Sequence, residues 1–62
     1  MKIIVYDAKE QRHKFLKGKI GNCFWIENEE DASEYTKEEY ELVLKDFSNN
    51  KMKPDYTSLG YR

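Results

Sequence analysis

Apolar residues in the first half of the chain fall in three short runs, separated by polar residues and glycines. The first run, over residues 2–6, is rich in β-branched side chains and is apolar on both of its alternating faces. The second carries Phe15 and Leu16, and the third contains four consecutive apolar residues, 23–26. This pattern predicts β-strands over residues 2–6, 12–17 and 22–27. Because both of its faces are apolar, we expect the first strand to be central in the sheet.

A helix is predicted over residues 37–48 by its cap and by its hydrophobic spacing. Thr36 and Glu39 stand at the two positions of a capping box. Apolar residues then recur at i, i+3, i+4 and i+7, on a stripe that we expect to face the core: Tyr40, Val43, Leu44 and Phe47. The same helical periodicity places a different set on the outward surface: Glu38, Glu41, Leu42 and Lys45.

The order of these elements, three strands and then one helix, predicts a small α+β fold. We expect an antiparallel three-stranded meander packed by the amphipathic helix. The C-terminal tail, residues 49–62, is predicted either to add a fourth strand at the sheet edge or to lie over the core. A chain of 62 residues without internal repeats predicts a single domain over residues 1–62.

Size and composition argue against catalytic function. A chain of 62 residues has no room for a substrate domain or a dinucleotide-binding unit. One histidine, His13, and one cysteine, Cys23, cannot build a tetrahedral zinc site, and no third residue supports them as a nucleophile–base pair. The three glycines fit no phosphate-binding fingerprint. We therefore predict a protein that is not an enzyme and that has no catalytic residues, no cofactor and no metal.

The chain also lacks the sequence features of export. No apolar run approaches the length that spans a bilayer, and the N-terminus has no signal-peptide pattern. A single cysteine cannot form an internal disulfide. These features predict a cytoplasmic protein.

The net charge of −1 conceals three blocks of different sign. The net charge is +4 over residues 1–26, −7 over residues 27–47 and +2 over residues 48–62. A clustered carboxylate face can imitate the phosphates of a nucleic acid and occupy the basic groove of a partner. The alternative is a solvated helix with ordinary first-turn acids and a Glu41–Lys45 ion pair.

The acidic block supplies the candidate partner-binding residues. Leu42 supports the interpretation of a partner-binding surface, because it is an apolar residue on the predicted polar surface of the helix. The candidate set comprises Glu27, Glu29, Glu30, Asp31, Glu34, Glu38, Glu41 and Leu42.

The segment from the third strand into the helix resembles a recurrent pattern of small phage and prophage proteins. In that pattern an apolar strand with a tryptophan, here Phe24-Trp25-Ile26-Glu27, precedes an acidic turn. An Asp-Ala pair, an aromatic residue and a Thr-capped helix beginning with Glu-Glu follow, here within residues 31–39. The similarity extends over roughly residues 2–47. Proteins of this kind with known roles are host-takeover factors, including small Cas9-type anti-CRISPR inhibitors. The resemblance implies such a role in the host cytoplasm, but it transfers no functional residue.

Together these features predict a host-takeover inhibitor that binds a larger, basic, nucleic-acid-handling protein. Its most concrete form is an anti-CRISPR protein that blocks a Cas nuclease through an acidic face. One alternative is a small nucleic-acid-binding module that uses the basic N-terminal half and its aromatic residues: Tyr6, Phe15, Phe24 and Trp25. Another is a homo-oligomeric phage structural component held together by an edge strand or by Leu42.

Overall fold

The computed structural model describes residues 1–49 and 55–62, which form a four-stranded antiparallel sheet and one α-helix. The helix, α1 (Lys37–Ser48), follows a short 3-10 turn, Glu29–Asp31. The strands are β1 (Ile3–Asp7), β2 (Arg12–Lys19), β3 (Asn22–Ile26) and β4 (Tyr56–Tyr61). The predicted α+β fold, a three-stranded meander packed by one helix, is therefore confirmed. The tail contributes β4 as a fourth edge strand, and its residues 50–54 lie outside the described residues.

The strand order is β3-β2-β1-β4, so β1 is an interior strand, as its two apolar faces predict. Burial along β1 alternates, and Ile3, Val5 and Asp7 are the buried residues. β2 continues two residues beyond its predicted end because the β2–β3 loop is very short. Lys19 pairs with Asn22, so only two residues form the turn.

Gly18 is required at the end of β2. Its φ is +104°, in the region that favours glycine, and a Cβ atom there would lie 2.7 Å from the Asn22 carbonyl oxygen. Gly21, in the turn, also has a positive φ of +94°, but a Cβ at that position would meet open space. Gly18 is therefore required both by its φ and by the close approach of the Asn22 carbonyl, whereas Gly21 is favoured by its φ alone.

The core lies between α1 and one face of the sheet. Its buried cluster is formed by Ile3, Leu16, Tyr35 and Val43. Directly opposed residues of antiparallel strands share a face, so Leu16 places its partner Trp25 on this same face. The row formed by Ile4, Phe15 and Ile26 lies on the other face.

The prediction that Leu44 faces the core is wrong. Val43 is the buried residue of α1, Tyr40 and Phe47 are half-buried, and Leu44 is 41% exposed. The reason is the narrow sheet. α1 contacts β4, which is the outer strand, so Leu44 lies at the sheet margin beside Tyr61 rather than over the sheet.

Tyr35 fixes the position at which α1 begins. Its N–H donates to the Met1 carbonyl at 2.7 Å, and its carbonyl accepts from the N-terminal ammonium at 2.9 Å. Its hydroxyl donates to the Gly18 carbonyl at 2.6 Å. The predicted capping box follows directly: the Thr36 hydroxyl accepts from the Glu39 N–H, and the Glu39 carboxylate accepts from the Thr36 N–H.

Candidate functional site

The outward surface of α1 carries the residues that the helical periodicity predicts there. Glu38, Glu41, Leu42 and Lys45 are all exposed, and Leu42 is 53% exposed. Among the described residues neither Glu38 nor Glu41 forms an ion pair, and the alternative Glu41–Lys45 pair is not formed. This part of the helix therefore presents an apolar side chain among carboxylates that no described residue neutralises. We call Glu38, Glu41 and Leu42 the α1 surface.

Three other candidate carboxylates are held by cations of the same chain. Glu27 lies 3.0 Å from the Arg12 guanidinium. Glu29 lies 2.9 Å from Arg62, and Glu34 lies 3.2 Å from the N-terminal ammonium. Exposed pairs of this kind contribute little to stability. They do reduce the charge that these three carboxylates can offer to a partner.

The remaining two candidates, Glu30 and Asp31, lie in the 3-10 turn and are exposed. This turn begins at Asn28, whose side chain accepts a hydrogen bond from the Glu30 N–H at 3.0 Å. The turn packs against β2, whereas α1 contacts β4, and β1 lies between these two strands. The exposed acidic candidates that form no ion pair among the described residues therefore lie on two separate elements, the 3-10 turn and α1.

Sequence reasoning missed an apolar groove beside the α1 surface. The groove has a volume of about 290 Å³ and is lined by Met1, Lys37, Tyr40, Glu41, Leu44 and Tyr61. Tyr61 is 59% exposed, and its ring meets that of Tyr40 edge-to-face, with centroids 5.1 Å apart. Since Glu41 belongs to both features, the groove and the α1 surface are adjacent. The aromatic residues of the tail are the sequence signal for this groove, because the helical periodicity places Leu44 in the core.

The aromatic residues of the nucleic-acid alternative do not form one stacking platform. Trp25 lies on the helix-covered face and meets Tyr56 edge-to-face, with centroids 5.6 Å apart. Phe15 is buried on the other face. Phe24 also belongs to that other face, where it is 57% exposed, and Tyr6 packs edge-to-face on His13. Stacking of successive bases needs several accessible aromatic rings on one surface. Tyr6, Phe15 and Phe24 share that other face, but Phe15 is buried and Tyr6 is half-buried, so Phe24 is the one largely exposed ring among these three.

The basic N-terminal half is also partly neutralised within the chain. The Lys14 ammonium lies 3.3 Å from the Asp7 carboxylate and 2.6 Å from the Glu10 carboxylate. Hydrogen bonds and ion pairing with these acids, Glu10 foremost, raise the pKa of Lys14 despite its burial. Lys14 therefore closes the β1–β2 connection and does not extend the basic surface.

His13 and Cys23 do not meet. His13 pairs with Tyr6 on one face of the sheet, whereas Cys23 pairs with Gly18, whose register places it on the opposite face. Within residues 1–49 and 55–62, no three metal-ligating side chains come together. Over the same residues, no helix has the length and apolar character needed to cross a membrane.

In comparisons with known proteins, no family model matches this chain, and no curated protein or solved structure matches it either.

Proposed function

We propose that the protein is a phage-type inhibitor that binds a basic surface of a nucleic-acid-handling protein in the cytoplasm. Its most concrete form is an anti-CRISPR protein that blocks a Cas nuclease without catalysing a reaction. One observation carries the proposal: Leu42 is 53% exposed on the outward surface of α1, beside Glu38 and Glu41, and no described residue neutralises these two carboxylates.

The α1 surface has the composition of a recognition site for a basic partner. A buried apolar contact at the centre of an interface stabilises it, and surrounding charges select the partner and accelerate association. Leu42 supplies the apolar contact, and Glu38 and Glu41 supply the charge. These carboxylates would take the place of nucleic-acid phosphates against Arg and Lys side chains.

The apolar groove supports the same proposal, because it extends the surface on the other side of Glu41. Leu44 and Tyr61 are exposed there, and an aliphatic or aromatic side chain of a partner would bury them. Lys37 at the groove margin is the one cationic side chain in this lining. The partner surface that fits best is therefore an apolar side chain flanked by arginines or lysines.

The carboxylates outside α1 take a secondary role in this proposal. Glu30 and Asp31 are exposed and would contact cations of the partner from the 3-10 turn. The contribution of the other three carboxylates is smaller, because each must first break an ion pair within its own chain. These are Glu27, Glu29 and Glu34.

The test is binding to a purified Cas9-type nuclease loaded with guide RNA. We expect Glu38→Lys combined with Glu41→Lys to weaken binding by about tenfold or more, and to make the remaining affinity less sensitive to salt. Asp55→Lys is the matched control, because Asp55 is an exposed acid outside both acidic elements. The single variant Glu41→Lys is compared with this control, because each changes one charge. The proposal fails if the wild-type protein does not bind, or if Asp55→Lys and Glu41→Lys weaken binding equally.

The 3-10 turn is tested separately. Glu30→Lys with Asp31→Lys is expected to weaken binding less than the α1 double variant. A larger loss would move the centre of the site from α1 to the turn.

The nucleic-acid alternative is tested by gel shift at low and moderate salt. Lys17→Glu and Lys19→Glu are the informative changes, because both lysines are exposed and neither forms an ion pair among the described residues. If the wild-type protein retards single-stranded DNA or RNA and these changes abolish the retardation, the alternative replaces the inhibitor proposal.

A further inference from the structure

We propose that the free edge of β3 pairs with β3 of a second copy of this chain, antiparallel, with Phe24 opposite Phe24. β3 is an outer strand of the sheet, and β2 is its neighbour on one side. This inference goes beyond the proposed function and uses a different surface, since the α1 surface lies on the helix.

The backbone of β3 has a defined set of outward-facing groups. Lys19 and Asn22 flank a two-residue turn, and the pair that closes such a turn is hydrogen-bonded. Hydrogen-bonded and non-hydrogen-bonded pairs alternate along an antiparallel ladder. Phe24 is therefore bonded to β2, whereas the N–H and C=O groups of Cys23 and Trp25 point away from the sheet. Among the described residues no hydrogen bond satisfies these outward groups.

This arrangement of groups is self-complementary about a two-fold axis at Phe24. In that register Cys23 of one copy lies opposite Trp25 of the other. Each such pair exchanges two hydrogen bonds, so the symmetric arrangement makes four. Phe24 then forms a non-hydrogen-bonded pair with its symmetry mate, the type of pair in which side chains approach most closely.

β3 also lacks the features that protect an edge strand. Its five residues, Asn22–Ile26, carry no charge and no proline, and Phe24 is 57% exposed. Edge strands of soluble proteins are commonly protected by charges, prolines or bulges. β4, the other outer strand, has a register irregularity opposite Ile4 and Tyr6 and a positive φ of 55° at Ser58. Regular pairing with another chain is therefore favoured at β3 and disfavoured at β4.

The symmetry of the outward groups selects a second copy as the occupant of this edge. Cys23 and Trp25 are equally spaced on either side of Phe24, so an identical strand in antiparallel orientation meets each outward N–H and C=O group with a complementary group.

Sedimentation of the full chain over a range of concentrations tests the association. We expect a monomer–dimer equilibrium that Phe24→Lys weakens by about tenfold or more, because it removes the aromatic pair and opposes two ammonium groups. Leu42→Lys is the matched control, an exposed apolar residue changed to lysine on α1, and is expected to leave the equilibrium unchanged. The proposal is overturned if the wild-type protein remains monomeric at about 1 mM, because a dimer with a still higher Kd would be too weak to matter. A dimer lost in Leu42→Lys but not in Phe24→Lys overturns it as well.

A disulfide scan tests the register. In a Cys23→Ser background, Phe24→Cys is expected to cross-link two copies in the presence of oxidised glutathione, because the Cα atoms of a non-hydrogen-bonded pair lie about 4.5 Å apart. Asn22→Cys is the control, since its symmetry mate lies four residue positions away along the ladder. Equal cross-linking of the two variants would contradict the proposed register. Circular dichroism of each variant establishes that it is folded.

Discussion

The Lys14 ammonium lies 3.3 Å from the Asp7 carboxylate, and both side chains are largely shielded from solvent. Asp7 also accepts hydrogen bonds from the Lys9 and Glu10 N–H groups, at 3.0 and 3.1 Å. The two residues therefore join the end of β1, the loop after it and the start of β2. This cluster stabilises the hairpin from which the sheet is built, and it takes a cation from the basic N-terminal half.

The pH dependence of stability tests this cluster through Asp7→Asn. Burial of Asp7 opposes its ionisation, but the Glu10 N–H, the Lys14 ammonium and the Lys9 N–H outweigh this and lower the pKa of Asp7. A carboxyl group with a lowered folded-state pKa stabilises the protein above its unfolded pKa of about 3.9, and this contribution is lost as pH falls through the folded-state value. We expect thermal unfolding to show Asp7→Asn as less stable than wild type at pH 7.

The difference between the two proteins should shrink as the pH falls from about 4 through the lowered folded-state pKa of Asp7, because the wild-type carboxyl group becomes protonated over that range. Glu10→Gln is the comparison, because Glu10 is more exposed and touches the same ammonium. It is expected to lower the melting temperature less than Asp7→Asn. A difference between wild type and Asp7→Asn that stays constant from pH 7 to pH 2 would contradict the role given to Asp7.

The capping box at the start of α1 is tested by Thr36→Ala. This change removes the hydroxyl that accepts from the Glu39 N–H at 3.2 Å and leaves that donor without its side-chain partner. The expected cost is about 1 kcal/mol of unfolding free energy. Urea denaturation measures it, and Thr36→Ser, which keeps a hydroxyl, should restore most of the loss. An equal loss in both variants would show that the hydroxyl is not the cause.

The β2–β3 hairpin separates two effects of glycine substitution. Gly21→Ala introduces only the strain of a positive φ, which costs about 1–2 kcal/mol. Gly18→Ala adds a Cβ atom 2.7 Å from the Asn22 carbonyl oxygen, so the backbone must also shift. We expect Gly18→Ala to be the more destabilising of the two in thermal unfolding. The reverse order would mean that the backbone around Gly18 shifts to accommodate the Cβ atom with little loss of stability.

Leu42→Ala separates binding from folding. Leu42 is exposed and alanine is a stronger helix former, so stability should change by less than about 0.5 kcal/mol. Binding to the nuclease should weaken by about tenfold, since truncation of an apolar interface anchor commonly costs more than 1 kcal/mol. Lys45→Ala, an exposed change one turn away, should leave binding largely unchanged. Equal affinities for wild type and Leu42→Ala would remove the apolar anchor from the proposal.

Local signals explain which elements the sequence predicts well. The start of α1 depends on Thr36 and Glu39, which are three residues apart, so the capping box is visible in the sequence. The central position of β1 follows from its two apolar faces. Leu44 was predicted wrongly, because its exposure depends on where α1 lies over a sheet of only four strands. Periodicity identifies a helical stripe but not how much sheet is available to cover it.

The candidate site shows the same limit. The exposure of Glu38, Glu41 and Leu42 follows from helical periodicity and is confirmed. The ion pairs Glu29–Arg62 and Glu34 with the N-terminus join residues that are 33 positions apart in the chain. Only the assembled sheet brings them together, so the sequence overstates the charge available to a partner. The groove beside Tyr61 depends on β4 and was missed for the same reason.

The most direct test of the central claim is competition between this protein and DNA for the nuclease. Target DNA binding to the guide-loaded nuclease is measured at increasing concentrations of the protein. If the carboxylates of α1 take the place of phosphates, the apparent Kd for DNA rises in proportion to the concentration of the protein. The Glu38→Lys, Glu41→Lys double variant should leave that Kd near its starting value. A ternary complex of nuclease, DNA and protein, with the affinity for DNA unchanged, would contradict the account.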